Sequence, residues 1–337
     1  MITTRKTKTH WYCVTVFFVS MCASTTRFFV TAAVNNLPSN EVFLTSICNC
    51  LKDDPKHGIC TSWARRNGYG TMPYWMTRDI TNMAHAFDLD RLLRPEPSGC
   101  NLTSSDASAF NVDLKYWDTS HVTNFEFMFR KAKSFDGKGL KFWGVGNAES
   151  MRGMFQETAR FDDNIAFWDL RNVIDLSKLF LNAEKFNQPI GFWDVSSVEI
   201  ASMFEGARRF NKDISAWNWA SIYSGTNPTN GCRKKRRARA LLQQTEDEQR
   251  HSARLCGEEN GLKQMFKNAP RFNGDVSRWK GDATTSEQEN MFEGAGSFNT
   301  KWKCKTEFDG PTETCKERHE SEIREEISEI RQFFRSS

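Results

Sequence analysis

Large apolar residues return along this chain at a fixed interval. Phe110, Phe135, Phe161, Phe186, Phe210, Phe272 and Phe298 are spaced by 25, 26, 25, 24, 62 and 26 residues. The long interval is one unit plus an insertion. Six residues ahead of the later anchors stands a second Phe: Phe129, Phe155, Phe180, Phe204, Phe266 and Phe292. Met or Leu precedes each of these (Met128, Met154, Leu179, Met203, Met265, Met291). Ala132, Ala183, Ala207, Ala269 and Ala295 stand three before the anchors, with Thr158 in the remaining copy. Leu114, Leu140, Ile165, Ile190, Ile214 and Val276 follow the anchors, and then Trp117, Trp143, Trp168, Trp193, Trp217 and Trp279. Upstream, "WMTRDITNMAHAF" (Trp75 to Phe87) matches "WDTSHVTNFEFMF" (Trp117 to Phe129) in length and register.

The period within a unit predicts its elements. In "VTNFEFMFRKA", Val122, Phe125, Met128 or Phe129, and Ala132 recur every three or four residues, which predicts one face of a short helix capped by Thr119 or Ser120. "FNQPI" is apolar at its ends and polar between, and predicts a short strand closed by the Trp and a turn. A single unit cannot bury its own Phe, Ile and Trp, whereas stacked units superimpose them into a continuous core. The expected fold class is therefore α/β: a leucine-rich-repeat-like solenoid of about six to seven strand–helix units of about 25 residues, with Cys-containing caps.

The columns together read FNxDIxxWDVSxVxxMxxMFxxAxxF, and this resembles the repeat of BspA-family leucine-rich-repeat surface proteins, a repeat domain of unknown function of the bacterial surface-protein type. The resemblance covers about residues 75–302. It brings no catalytic motif, and it implies an extracellular or surface protein with an adhesive role.

Two insertions break the period and are expected to leave the repeat as loops. The first, about 88–106, carries Cys100 and the sequon Asn101-Leu102-Thr103, which makes Asn101 a glycosylation candidate in a secreted eukaryotic chain. The second, about 223–260, holds a basic run, Arg233, Lys234, Lys235, Arg236, Arg237 and Arg239, between Cys232 and Cys256. This run is open to polyanion contact (glycan, nucleic acid or anionic lipid), protease processing, nuclear import or plain solvation. No aromatic is interleaved with it, so base stacking on nucleic acid has no support. The net charge of only +4 argues against a broad polyanion-binding face. Asn or Asp follows every anchor (Asn111, Asp136, Asp162, Asn187, Asn211, Asn273, Asn299). Such a column offers oxygen ligands to Ca²⁺, but backbone hydrogen bonding between coils accounts for it more simply.

The ends differ from the repeat. Residues 1–34 join Arg5, Lys6 and Lys8 to the apolar run "WYCVTVFFVSMCA", the layout of a secretory signal peptide, or of a signal anchor if left uncleaved. Residues 35–74 are expected to form an N-terminal cap, 75–302 the repeats, and 303–337 a C-terminal cap. Cys48, Cys50, Cys60, Cys100, Cys232, Cys256, Cys304 and Cys315 are disulfide candidates whose pairing the sequence leaves open. Cys48, Cys50 and Cys60 lack a fourth ligand at zinc spacing, so no metal is expected there. Ile323, Ile327, Ile330 and Phe334 lie at helical spacing, which suits packing on the last unit or a dimer. None of the six His falls in a repeated column, and no P-loop, GxSxG or HExxH occurs. The expectation is a secreted or cell-surface binding scaffold without catalysis or cofactor, with a protein or glycan ligand. Membrane attachment would follow only from an uncleaved N-terminal segment. A polyanion-binding protein acting through 233–239 and a structural cell-envelope component are the alternatives.

Overall fold

The computed structural model describes residues 35–195, 198–217, 262–277, 279, 288–304, 315–324 and 328. All of them belong to one compact unit, 34–337. It begins with α1 (Asn40–Asp53), where the Ser39 hydroxyl accepts from the Val42 N–H at 3.2 Å. One face of α1 buries Phe43, Ile47 and Leu51. Phe43 meets the edges of Trp75 and Trp117 at 6.5 and 5.4 Å. A disulfide, Cys50–Cys60, ties α1 to the start of α2 (Thr61–Asn67), whose Trp63 lies 5.5 Å from Trp75.

The first insertion is not an open loop. It folds into α3 (Leu89–Leu93) and α4 (Ser104–Ala109), capped by the Asp88 and Thr103 side chains. Cys100 is bonded to Cys48 on α1, closing 52 residues. The buried Arg91 guanidinium donates to the carbonyls of Ala86 and Leu44. Burial lowers its pKa to about 10, because water can no longer solvate the charge. Arg91 thus joins the insertion, the first repeat and α1.

In the repeats, the segments expected to be helices are runs of turns. Alternate N–H groups serve two purposes. Those of Phe125, Phe127, Phe129 and Lys131 donate to Ser150, Arg152, Met154 and Gln156 in the next unit, at 2.8–2.9 Å. Those of Met128, Arg130 and Ala132 turn back to the carbonyls three residues earlier. The same alternation recurs from unit to unit, and single parallel bridges link Asn82, Asn124, Ser150, Asp175 and Glu199. Two residues four apart take positive φ in each copy: 127/131, 153/157, 178/182, 202/206, 264/268 and 290/294. This left-handed backbone is what prevents a helix, since right-handed turns never accumulate. It suits Gly153, Gly206 and Gly294, and a Cβ on Gly153 would stand 2.4 Å from the Phe127 ring.

The segments expected to be strands carry no ladder. Their columns are joined through side chains instead: the N–H groups of Asn187, Asn211 and Asn273 each donate to the Oδ1 of the preceding column member at 2.9 Å. The Asn/Asp column therefore serves the backbone between coils. The unit that is one residue short, Val198 to Phe204, loses it ahead of the turn run rather than inside a helix. Glu199 fills two positions there, donating to Ile174 and accepting from Leu176.

The core is made of aromatic columns. Phe129, Phe155, Phe180, Phe204, Phe266 and Phe292 stack at 5.7–5.9 Å with rings within 15° of parallel. Each also lies 3.7–4.2 Å, centroid to centroid, from its own anchor Phe. Each Trp indole donates to the Met, Leu or Ile carbonyl of the preceding unit: Trp117 to Met72, Trp143 to Leu114, Trp168 to Leu140, Trp193 to Ile165, at 2.8–3.3 Å. A buried indole needs such an acceptor, which explains why this column is Trp rather than Phe. After the last unit, α5 (Gly296–Lys301) leads into β1 (Trp302–Lys303), antiparallel to β2 (Lys316–Glu317), with Cys304 bonded to Cys315.

Candidate binding face

Each Trp N–H also closes a turn onto its own unit's apolar residue: Trp75 to Met72, Trp117 to Leu114, Trp143 to Leu140, Trp168 to Ile165, Trp193 to Ile190, at 3.0–3.2 Å. The residue just before the Trp is then the third residue of a four-residue turn. The Trp side chain is buried and its predecessor faces solvent. Those predecessors are Tyr74, Tyr116, Phe142, Phe167 and Phe192, with exposures of 60, 56, 65, 91 and 90%. Turn tips ordinarily carry Gly, Asn, Asp or Ser. Among the described residues a row of rings at successive tips departs from that expectation.

Tyr74 and Tyr116 stack on each other at 5.1 Å. Among the described residues no ring stacks on Phe142, Phe167 or Phe192. Lys115 and Lys141 lie over the rings of Tyr116 and Phe142 at 4.6 and 5.1 Å. Carboxylates flank the row on both sides in sequence: Asp113, Asp163 and Asp213 ahead of it, Asp118, Asp169 and Asp194 after it. Asp163 accepts from the N–H of Lys141, which places it beside the turn carrying Phe142. The Asp118 carboxyl loses some solvation, but hydrogen bonds from Ser120 outweigh this and hold it below the usual carboxylate range. Asp169 is held low chiefly by its hydrogen bond from Arg171.

A second polar cluster lies on the turn runs. Asp88 is fully buried and accepts from Arg130 Nε and Nη2 at 3.0 and 2.7 Å and meets His85 Nδ1 at 2.7 Å. Burial pushes its carboxyl upward, but the hydrogen bonds from His85 and Arg130 prevail and leave it below the ordinary value. A His–Asp pair invites comparison with a catalytic dyad. Among the described residues, however, no Ser, Thr or Cys side chain hydrogen-bonds the His85 ring, and Phe127 lies against it at 5.3 Å. Farther along, burial raises the Glu149 carboxyl, and burial together with the nearby Arg152 charge lowers Lys178. Arg152 pairs with Asp175 at 3.5 Å. Arg152, Asp175 and Lys178 thus form one charge cluster within the turn runs. Among the described residues no three His, Cys, Asp or Glu are placed to share a metal ion.

The structure distributes the residues singled out from sequence. Cys48–Cys100, Cys50–Cys60 and Cys304–Cys315 are disulfides. Asn101 is exposed beside Cys100, and Thr103 of its sequon caps α4. Ile323 is half-buried in a helical turn at 320–324. The N-terminal segment 1–34, the basic residues Arg233 to Arg239, Cys232 and Cys256, and Ile327, Ile330 and Phe334 lie outside the described residues. Among the described residues no helix is long and apolar enough to cross a membrane. The exposed aromatic row escaped the sequence reading, although its signal was present: Tyr-Trp twice and Phe-Trp three times, at unit spacing.

Three stretches, residues 65–140, 136–238 and 258–309, match the family described as "Mycoplasma protein of unknown function, DUF285". No curated protein and no solved structure matches the chain.

Proposed function

The chain belongs to this DUF285 family, and from that premise we propose that it is a secreted or cell-surface binding scaffold without catalysis, built as a leucine-rich-repeat-like solenoid of the BspA type. The observation that carries the reading is the row of five solvent-facing rings, Tyr74 to Phe192, on units whose interiors are closely packed. Exposed apolar surface in a continuous row costs solubility, and interaction sites are where such surface is usually found. Three disulfides fit a chain that matures in an oxidising compartment. The units supply rigid spacing and the turn tips supply contact, a division suited to adhesion.

The test is binding of the full chain to arrays of defined purified proteins and glycans, beside the variant Phe167→Ala/Phe192→Ala. A ligand retained by the parent and lost by the variant supports the scaffold reading through this face. Absence of any retained ligand refutes it.

A further inference from the structure

We propose that the aromatic row binds an uncharged, extended polysaccharide laid along the units, one ring of the protein beneath each step of the chain. This rests on the scaffold reading and assigns its ligand class. Three observations select the occupant. First, the site repeats in one dimension. Five successive units contribute one ring each at the same turn position, and Tyr74 and Tyr116 lie 5.1 Å apart, centroid to centroid. A ligand that repeats in one dimension can use every ring in the same way. A folded protein instead needs a broad patch, about 800 Å² on each side, and this row is one residue wide.

Second, Phe167 and Phe192 are about nine-tenths exposed, and aromatic faces carry the negative side of the ring quadrupole. The polarised C–H bonds on the flat face of a pyranose complement that charge distribution. Third, the flanking charges discriminate among occupants. Asp163 and Asp169 flank Phe167 in sequence, Asp169 is paired with Arg171, and Lys115 and Lys141 lie over the rings of Tyr116 and Phe142, so the charges about the row are mixed and present no basic surface to a sulfated glycan, nucleic acid or anionic lipid. Sugar hydroxyls can donate to a carboxylate at the row such as Asp163, which sits beside the turn carrying Phe142. A purely apolar partner would desolvate such carboxylates without offering them a hydrogen bond.

The experiment uses the full chain and the variant Phe167→Ala/Phe192→Ala, whose altered side chains are about nine-tenths exposed. Matching circular dichroism and melting curves establish that both are folded. Each is incubated with insoluble cellulose, chitin, mannan and β-1,3-glucan, with heparin–agarose, and with phosphatidylcholine vesicles. The expected result is retention of the parent on at least one neutral polysaccharide, with affinity reduced about tenfold or more in the variant and heparin retention unchanged between the two. Equal retention of both proteins on a glycan would place the glycan site elsewhere, overturning the proposal while leaving a scaffold. No neutral polysaccharide bound, with a protein from the array bound through these rings, would likewise keep the scaffold and reject the glycan. A shift from dimer to monomer in the variant during gel filtration, or ring-dependent vesicle binding, would reassign the face to a second copy or to lipid. Retention on nothing at all would reject both readings.

Discussion

Phe192 and Trp193 are adjacent, aromatic and similar in size, yet the packing assigns them opposite consequences. Trp193 is 4% exposed, and its indole donates to the Ile165 carbonyl at 3.3 Å, whereas Phe192 is 90% exposed. Trp193→Ala removes the indole from a closely packed column and leaves a cavity, which costs about 3–5 kcal/mol. The Ile165 carbonyl keeps its bond from the Trp168 N–H, so the lost hydrogen bond adds only about 1 kcal/mol. Trp193→Phe separates the two terms, since it restores most of the apolar volume but not the donor; about 1–2 kcal/mol is expected. Phe192→Ala should fall within about 0.5 kcal/mol of the parent. Urea titrations followed by circular dichroism and by Trp fluorescence measure all three. The ordering Trp193→Ala, then Trp193→Phe, then Phe192→Ala is the result required. If Trp193→Ala unfolds at the parent's urea midpoint, or if Phe192→Ala is the more damaging change, the stacked-column account is wrong.

The buried Asp88 gives a pH dependence. Its folded pKa lies below the unfolded value of 3.8, so its contribution is complete above that value and is lost as pH falls through the folded pKa. The stability gap between the parent and Asp88→Asn should stay constant down to about pH 5 and narrow toward about pH 2 in urea titrations; a gap that widens in acid would contradict the assignment. Replacing Cys48 and Cys100 together by Ser opens a closure of 52 residues and should cost about 4 kcal/mol by the loop-entropy relation. The Cys50–Cys60 pair spans only 10 and should cost nearer 3 kcal/mol, and a reversed order in melting experiments would refute the loop argument. Gly153→Ala places a Cβ on a residue at φ 57° and against Phe127, and should cost at least about 2 kcal/mol. A neutral melting curve would mean that the turn run is more pliable than its hydrogen bonds indicate.

The columns were legible in the sequence because the units reuse the same large residues at the same offsets. The local backbone was not, and Val122, Phe125, Phe129 and Ala132 show why. Inward residues three and four apart mark a helix face, but they also mark consecutive tight turns that flip handedness every fourth residue. The distinguishing signal was Gly153, Asn182, Gly206, Asn268, Asn290 and Gly294 at the flipping positions. Gly and Asn, which enter left-handed backbone most readily, hold six of these twelve positions, while Phe127, Lys131, Glu157, Lys178, Ser202 and Gln264 hold the rest, so the signal was partial. The strand reading of "FNQPI" failed for a related reason: the Asn column, which reads as polar alternation, is where side chains replace a backbone ladder. The folded first insertion was hidden because Cys48 and Cys100 are far apart in sequence and eight candidate cysteines allow many pairings.

The aromatic row can be separated from the demands of the fold by following it past its end. The buried columns continue through Phe266, Trp279 and Phe292. The outward position does not stay aromatic: before Trp217 stands the exposed Ala216, and in sequence Arg278, outside the described residues, precedes Trp279. Trp217 and Trp279 nonetheless bury their indoles and donate to Ile190 and Ile214 at 3.2 and 3.1 Å, as their counterparts do. A small residue, Ala216, therefore satisfies the turn closed by Trp217 and Ile214, and neither closure of the turn nor burial of the Trp calls for a ring at its tip. The five rings from Tyr74 to Phe192 need a cause outside the packing, and it must act on successive units without acting on the last two. Contact with a ligand long enough to cover those five turns, and ending before the insertion at 223–260, is a cause of that extent.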